Sequence, residues 1–216
     1  MDEKRLSLSM VSHELKNPLT LIRSTLQVIE SRHIELLKEP LWSQVYQDVD
    51  YMSRLLSELS VLDKEIVPKL SAVHVKQMMM DVEGMFLTVA MKQKKRFRIR
   101  CQNQELYVRG DELKLRQMLI NLIQNALDAT SIDDCIDVIV EQERNKVLFH
   151  VCDTGCGMDL EQQERLFHPF VTNKPNGTGL GMAIVKKIVD EHGGSIYLQS
   201  SKDCGTKITI ELSIEK

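Results

Sequence analysis

Apolar residues in the first sixty positions follow a heptad-like spacing, and this feature most constrains the fold. From Leu8 to Ile29 they recur every three or four residues, and after Pro40 the same spacing runs from Trp42 to Leu59. The periodicity predicts two amphipathic helices joined by a loop, an αα-hairpin. Because two helices cannot cover each other's apolar faces, we expect a second copy to complete a dimeric four-helix bundle. Alternatively, both faces pack on the C-terminal part of the same chain.

The pattern changes near Val67-Pro68-Lys69, beyond which short strands mix with helices. The expected strands are 70–74, Arg96–Cys101, Leu106–Arg109, Ile136–Glu141, Lys146–Cys152, Ser195–Ser200 and Thr206–Ser213, and the expected helices are 75–92, Asp111–Thr130 and Thr178–His192. Many neighbouring strands would pair antiparallel. We therefore expect an α+β fold, with the hairpin over residues 1–66 and a two-layer sandwich, one sheet with helices on one face, over 67–216.

Composition excludes several classes of protein. The chain has 216 residues, of which 43% are hydrophobic and 27% charged, as in ordinary globular domains. Its net charge of −3 offers no basic stripe for nucleic acid. No apolar run approaches the roughly 18 residues of a membrane span. The five cysteines include no CxxC pair, so neither a disulfide framework nor a zinc site is expected.

A first motif, Ser12-His13-Glu14-Leu15-Lys16-Asn17-Pro18-Leu19-Thr20, lies within the first helix. At about 100° per residue, His13 points roughly 150° from the apolar stripe, so its imidazole should face solvent. Asn17 lies one turn later on the same face. Pro18 would kink the helix at this point. An exposed histidine beside a glutamate is otherwise typical of an ordinary solvated surface.

A second motif places Gln117, Asn121, Asn125 and Asp128 on one face of the expected helix Asp111–Thr130. Burying these polar groups unpaired would be costly, so they should face a cleft. The alternative is a plain solvent face, although such faces more commonly carry Lys and Glu.

Two glycine clusters complete the set, because five of the ten glycines fall between Gly155 and Gly181. One cluster, DTGCGM, follows a strand, and the other, NGTGLG, precedes a helix. Glycine permits close backbone approach to a ligand, and a helix N-terminus favours phosphate. The absence of a βαβ unit and of GK[ST] argues against a dinucleotide fold and a P-loop.

Together, SHELKNPLT, NLIQNALDA, DTGCGM, LFHPF and GTGLG resemble, in order, the H, N, first G, F and second G boxes of sensor histidine kinases. The resemblance covers residues 5–214. It implies a HisKA-type dimerisation and phosphotransfer hairpin, followed by the Bergerat ATP-binding fold shared with gyrase, mismatch-repair and heat-shock chaperone ATPases. The segment Phe170–Pro175 resembles that of the sporulation kinases of bacilli.

The resemblance also implies roles for the first two motifs. His13 is the phosphoacceptor, and Glu14 orients its ring and takes its proton. Glu14 and Asn17 match the family's E-x-x-N arrangement for positioning a water in dephosphorylation. Mg²⁺ is held by Asn125 with help from Asn121. Related hydrolytic ATPases carry a glutamate where this chain has Asn121, which fits transfer to His13 rather than hydrolysis.

For the nucleotide, the resemblance implies that Asp153 accepts the adenine amine, that Gly155 and Gly157 turn the chain around the base, and that Thr206 lies beside Asp153. A mobile lid would close on the phosphates through Lys174, Gly177, Thr178, Gly179, Leu180 and Gly181. Many relatives carry a basic residue where this sequence has Asp128. Lys174 or Arg165 would then neutralise the phosphate charge in place of that basic residue.

The implied function is an ATP-dependent protein histidine autokinase that passes phosphate to the receiver domain of a response regulator. The alternative is a dimeric scaffold or phosphatase with a vestigial or regulatory nucleotide site. Expected partners are a second copy, the regulator and small inhibitor proteins on the bundle, but not nucleic acid. With only a dozen residues before His13, we expect the cytoplasmic portion of a membrane-anchored sensor kinase, anchored through segments absent from this chain.

Overall fold

The computed structural model describes residues 8–63, 67–174 and 177–214, and for residues 8–10 and 13 it describes the backbone alone. The chain forms two compact units. One comprises Met1–Ile66 with Pro169–Leu180, and the other comprises Val67–His168 with Gly181–Lys216. The unit boundary near Val67 coincides with the change in sequence pattern. The assignment of functions to 1–66 and 67–216 stays a prediction.

The first unit contains the predicted helical hairpin. Helix α1 spans Leu8–Arg32 and α2 spans Pro40–Asp63, with a 3₁₀ helix over Ile34–Lys38 between them that the sequence pattern does not predict. The helices are joined by an ion pair between Arg23 and Asp50, 3.5 Å apart. Trp42 donates from Nε1 to the Glu30 carboxylate at 3.3 Å. These contacts fix the pairing of the two helices near the connection.

A single hairpin leaves part of its apolar seam uncovered. Leu19 and Val49 are buried, but Leu15 and Ile22 are each 46% exposed and Ile29 is 37% exposed. The three exposed residues are seven positions apart in α1. Their spacing makes one continuous apolar row along the helix.

The second unit has seven strands and four helices among the residues that the structure describes. The strands are β1 Ser71–His74, β2 Arg96–Cys101, β3 Tyr107–Gly110, β4 Cys135–Glu143, β5 Lys146–Asp153, β6 Ser195–Ser200 and β7 Thr206–Ser213, and the helices are α3 Val75–Lys92, α4 Glu112–Ala129, α5 Leu160–Arg165 and α6 Gly181–Glu191. Strands β1 and β3 form an antiparallel pair. The others form a mixed sheet in the order β2-β4-β5-β7-β6, in which β2 and β4 are parallel.

Strand register gives the sheet one apolar face. Val138 of β4 pairs with Val151 of β5, which pairs with Ile208 of β7, and all three are buried. Because side chains alternate along a strand, every second residue joins this row. Helix α4 packs behind it through its own buried stripe, which includes Met118 and Leu122. The predicted α+β class with helices against a sheet is confirmed.

The start of α4 is held by contacts that the heptad and alternation patterns do not reveal. Asp111 caps the helix by accepting from the Lys114 N–H. The Asp111 N–H donates to Nε2 of His192 at 2.9 Å, and Nδ1 of His192 lies 2.7 Å from the Ile188 carbonyl oxygen. His192 is therefore a neutral tautomer that donates from Nδ1. It ties the end of α6 to the start of α4.

The structure corrects three sequence predictions. Helix α6 begins at Gly181 rather than Thr178, because Gly179 has a φ of +69° and cannot continue a right-handed helix. Helix α5 lies inside the segment expected to be loop. Its capping box, Asp159 with Gln162, is a recognisable start signal hidden among the glycines. Strand β3 is displaced by one residue from its predicted start. Among the residues that the structure describes, no helix is long and apolar enough to cross a membrane.

Gly205 and Gly193 provide a matched pair for testing backbone packing. Both have positive φ, but a Cβ at Gly205 would lie 2.0 Å from the Asp153 carbonyl oxygen, whereas one at Gly193 meets nothing within 4 Å. We expect Gly193→Ala to lower the free energy of unfolding by about 1–2 kcal/mol. Gly205→Ala should cost roughly 2 kcal/mol more, because backbone must move. Urea denaturation followed by circular dichroism measures both free energies of unfolding. Equal losses in the two variants would contradict the close packing of Gly205 against Asp153.

Candidate functional site

Asp153 lies at the end of the central strand β5, where the chain leaves the sheet. Its carboxylate accepts from the Gly155 N–H at 2.9 Å. Across the ladder, Asp153 pairs with Thr206 at the start of β7, and Thr206 is buried. The first glycine cluster and the Gly205-Thr206 pair, which are far apart in the sequence, thus meet at one edge of the sheet.

The glycines around Asp153 allow backbone to touch backbone. A Cβ at Gly155 would lie 2.1 Å from the Ala129 carbonyl oxygen, at the end of α4. Gly157 has a φ of +61°, and its Cβ would lie 1.9 Å from the Ser201 carbonyl oxygen. No other residue fits either position without displacing backbone. The loop after β5 is therefore held between α4 and the β6–β7 connection.

Burial changes the acidity of Asp153. Desolvation raises the pKa of its carboxyl above the ordinary value, and the nearby Asp134 raises it slightly further. Backbone N–H donation from Gly155 and Thr206 opposes this rise without cancelling it. A half-buried carboxylate flanked by glycine backbone is suited to accept a hydrogen bond from a flat polar ligand.

Helix α4 presents its predicted polar row beside this edge. Gln117, Asn121 and Asn125 are half-buried, whereas Asp128 is exposed and accepts from Gln124. Asn121 donates from Nδ2 to the Gly181 carbonyl oxygen at 3.1 Å. That bond orients the amide, which leaves Oδ1 as the Asn121 atom able to approach a cation. Asp128 is the most exposed end of the row, and the expectation that the row faces a cleft stays a prediction.

The second glycine cluster belongs to the hairpin's unit, apart from Gly181. The cluster is tied to the chain that precedes it, since the Phe170 N–H donates to the Gly179 carbonyl oxygen at 2.9 Å. The Gly177 N–H donates to the Lys174 carbonyl oxygen at 3.1 Å. Leu180 is fully buried. Pro175 and Asn176 of the predicted lid lie outside the described residues.

The side chain of Thr178 contacts a residue that is far away in the sequence. Its hydroxyl donates to the carboxylate of Glu58 in α2, and it accepts from the Leu180 N–H at 3.3 Å. No motif in the sequence points to Glu58, because the two residues are 120 positions apart.

The histidine motif lies on α1 as predicted. His13 is within the helix, but the predicted direction of its imidazole concerns a side chain outside the described residues. Glu14 and Asn17 are both exposed. Their spacing of three places them on the same side of the helix.

Two residues that no sequence motif indicates support the Asp153 edge. The Ser200 hydroxyl donates to the Gly205 carbonyl oxygen at 2.9 Å and accepts from the Met158 N–H. Gln163 in α5 donates to the carbonyl oxygens of Met158 and Ser200. The capping box of α5 predicts a helix that contains Gln163, but no motif predicts the contacts of its side chain. Together they hold the loop after Gly157 against the end of β6.

Two family models match the chain. Residues 3–65 match the His Kinase A (phospho-acceptor) domain. Residues 110–216 match the histidine kinase-, DNA gyrase B- and HSP90-like ATPase. The two matches fall in the order that the motifs predicted.

Curated relatives include sporulation kinase A of Bacillus subtilis, which is 30% identical over 93% of this chain and 33% of its own length. The histidine-protein kinase AtoS of Escherichia coli is 27% identical over 94% of this chain and 34% of its length. The chain thus spans about one third of these two relatives.

Solved structures agree with these matches. The catalytic domain of the histidine kinase ThkA is 32% identical, with a TM-score of 0.62 over 67% of this chain and 95% of that domain. ThkA in complex with the response regulator TrrA is 26% identical, with a TM-score of 0.70 over 95% of this chain and 60% of that one. Full-length ShkA with AMPPNP, 21% identical, shares the fold with a TM-score of 0.82 over 97% of this chain and 46% of that one. This chain therefore belongs to the histidine kinases and carries both their phosphoacceptor region and their ATPase-type domain.

Proposed function

We propose that this chain is an ATP-dependent histidine autokinase that phosphorylates His13 and passes the phosphate to an aspartate of a response regulator. The observation that carries the proposal is the edge at Asp153, where a half-buried carboxylate, Gly155 and Thr206 meet beside a row of amides on α4. Residues 67–216 then serve as the catalytic ATP-binding domain, and residues 1–66 as the dimerisation and phosphotransfer hairpin.

Adenine recognition rests on Asp153. Its carboxylate accepts the exocyclic amine of adenine, which selects ATP over GTP because guanine carries a carbonyl at that position. Gly155 and Gly157 turn the chain around the base, and both positions require glycine because backbone fills the space that a Cβ would take. Thr206, packed beside Asp153, closes the same edge.

The amides of α4 suit a Mg²⁺ ion. Mg²⁺ prefers oxygen ligands and keeps several waters, so one or two protein oxygens suffice. Asn125 would hold it directly, with Asn121 assisting through Oδ1 because its Nδ2 is bonded to Gly181. Bound there, the cation neutralises charge on the phosphates.

In the transfer step, the neutral imidazole of His13 attacks the γ-phosphorus. An N–P bond forms, the bond to the bridging oxygen of ADP breaks, and the imidazole proton passes to Glu14. Asn121 stands where a hydrolytic ATPase has a glutamate, and an amide cannot deprotonate water. Transfer to histidine is therefore favoured over hydrolysis.

The phosphates would be received by Lys174 and by the backbone of Gly177, Thr178, Gly179, Leu180 and Gly181. Arg165 is the less suitable alternative for the basic residue that Asp128 replaces. It lies in α5 and is paired with Glu161 at 3.4 Å. Lys174 is part of the glycine-rich segment itself.

Partner binding follows from the hairpin. The exposed row Leu15, Ile22 and Ile29 supports a homodimer, because a second hairpin would bury it in a four-helix bundle. The regulator's receiver domain would dock on the exposed side of α1 near His13, as its aspartate must reach the imidazole. Small inhibitor proteins would bind elsewhere on the bundle. The need for ATP places this portion in the cytoplasm, and we propose that other segments of the full protein supply a membrane anchor.

A second activity, dephosphorylation of the regulator, is favoured by the exposure of both Glu14 and Asn17. These side chains would position a water against the aspartyl phosphate. This activity and autophosphorylation share α1 but use different residues of it.

Replacing the phosphoacceptor tests the kinase proposal. His13→Gln should abolish incorporation of acid-labile phosphate from ATP with Mg²⁺, because glutamine offers no nucleophilic nitrogen. His33→Gln, a matched change at an exposed histidine of the same unit, should leave labelling within twofold of the unmodified chain. Labelling that persists in His13→Gln, measured with radioactive ATP, would disprove the assignment.

Asp153→Asn separates nucleotide recognition from stability. The pKa of Asp153 is raised in the fold, so the folded state disfavours the ionised form, and this carboxylate lowers stability at pH values above its pKa. The amide should raise the melting midpoint at pH 7 yet weaken ATP binding at least tenfold, as the adenine amine loses a charged acceptor. Calorimetric titration and thermal melts measure the two effects.

The control is Asp203→Asn, an exposed position in the neighbouring loop with a φ of +60° that asparagine tolerates. It should change neither property appreciably. In the unmodified chain, ATP affinity should fall as pH falls through the raised pKa of Asp153, and this dependence should be missing from Asp153→Asn. Full ATP affinity in Asp153→Asn would refute the adenine contact.

Asn17→Ala tests the second activity. It should lower dephosphorylation of a phosphorylated receiver domain by about tenfold or more, since the attacking water loses its positioning amide. Labelling of His13 should persist. If both rates fall together, Asn17 instead supports the structure of α1.

A further inference from the structure

The contact between Glu58 and Thr178 joins the hairpin to the glycine-rich segment Phe170–Leu180. Thr178 Oγ1 donates to Glu58 Oε2. The same hydroxyl accepts from the Leu180 N–H at 3.3 Å, so the carboxylate, the hydroxyl and a backbone amide form one chain of hydrogen bonds. Glu58 thereby acts on the turn that opens at Thr178.

Glu58 lies in a partly desolvated position. Burial raises the pKa of its carboxyl, while the Thr178 hydrogen bond and the charge of Arg54 oppose the rise. It lines a polar groove of the hairpin together with Arg23, Asp50 and Arg54. Arg23 in that groove is paired with Asp50 at 3.5 Å.

The Thr178 turn packs closely against the start of its own segment. Gly179 has a φ of +69°, and its Cβ would lie 2.6 Å from the backbone of Phe170, so the turn is held tightly by its own chain. The proposed function brings ATP phosphates to this same turn. A carboxylate bonded to Thr178 and a phosphate beside it would repel each other, and partial burial strengthens that repulsion.

We propose that Glu58 is an internal competitor of the ATP phosphates, an anion of α2 that occupies the Thr178 turn and lowers nucleotide affinity until Thr178 is released. The inference rests on the proposed nucleotide-binding function. It makes Glu58 a positioning residue that sets the affinity of the lid, and it links the state of α2 to the availability of the glycine-rich segment.

Two substitutions separate the charge of Glu58 from its tether. Glu58→Gln keeps an oxygen that accepts from Thr178 but removes the negative charge, and it is nearly isosteric, so the fold should be retained. Glu58→Ala removes both charge and tether. Glu39→Gln, at an exposed position near the hairpin connection, removes the same charge from the same unit without contacting Thr178.

The experiment is a calorimetric titration of the 216-residue chain and of each variant with Mg-ATP at low and at high salt. We expect Glu58→Gln and Glu58→Ala to bind about three- to tenfold more tightly than the unmodified chain at low salt, with the gain shrinking at high salt as charges are screened. Glu39→Gln should match the unmodified chain. Hydrogen exchange without nucleotide should show faster exchange of the Leu180 amide in Glu58→Ala than in Glu58→Gln.

Equal affinities of the unmodified chain and Glu58→Gln at low salt would overturn the competition. A gain confined to Glu58→Ala would overturn it as well, because the tether rather than the charge would then govern affinity. Failure of the unmodified chain and of every variant to bind ATP would instead overturn the proposed function, and with it this inference. The two failures are therefore distinguishable in one set of titrations.

Discussion

The edge at Asp153 depends on backbone packed directly against backbone. Gly155 touches the carbonyl at the end of α4, Gly157 touches the β6–β7 connection, and Gly205 touches the carbonyl of Asp153 itself. In each case a Cβ would lie only 1.9–2.1 Å from a carbonyl oxygen, too close for atoms that are not bonded to each other. These contacts bring the end of helix α4, strand β5 and strand β7 together at one edge.

The same packing explains the character of Asp153. Strand pairing with Thr206 and the tight turn to Gly155 withdraw its carboxyl from water, and the resulting rise in pKa costs stability at neutral pH. The group proposed to accept the adenine amine is therefore a carboxylate whose ionised form the fold disfavours.

Helices and strands were predictable where the hydrophobic periodicity and the residues that end an element indicate the same boundaries. Helix α3 and strand β2 were expected at their observed bounds, because a helical apolar pattern ends at Lys92 and strict alternation begins at Arg96. The prediction of helices failed in the glycine-rich region, where helix start signals were overlooked. Helix α5 has a complete capping box but only six residues, and the start of α6 was displaced by a turn whose conformation depends on Gly179. Among the expected site residues, Asp153, Gly155 and Thr206 come together at one edge, and Asn121 is bonded to Gly181.

The sequence by itself determined the chemistry available to this protein, namely a histidine motif on an amphipathic helix, a row of amides and two glycine clusters in a fixed order. These are local patterns, and local propensity and spacing are enough to reveal them. Only the tertiary structure decided which groups share an environment: His192 with Asp111, Ser200 with Gly205, and Glu58 with Thr178. Such pairs are separated by up to 120 positions, and their meeting depends on strand register and chain packing that no local pattern encodes.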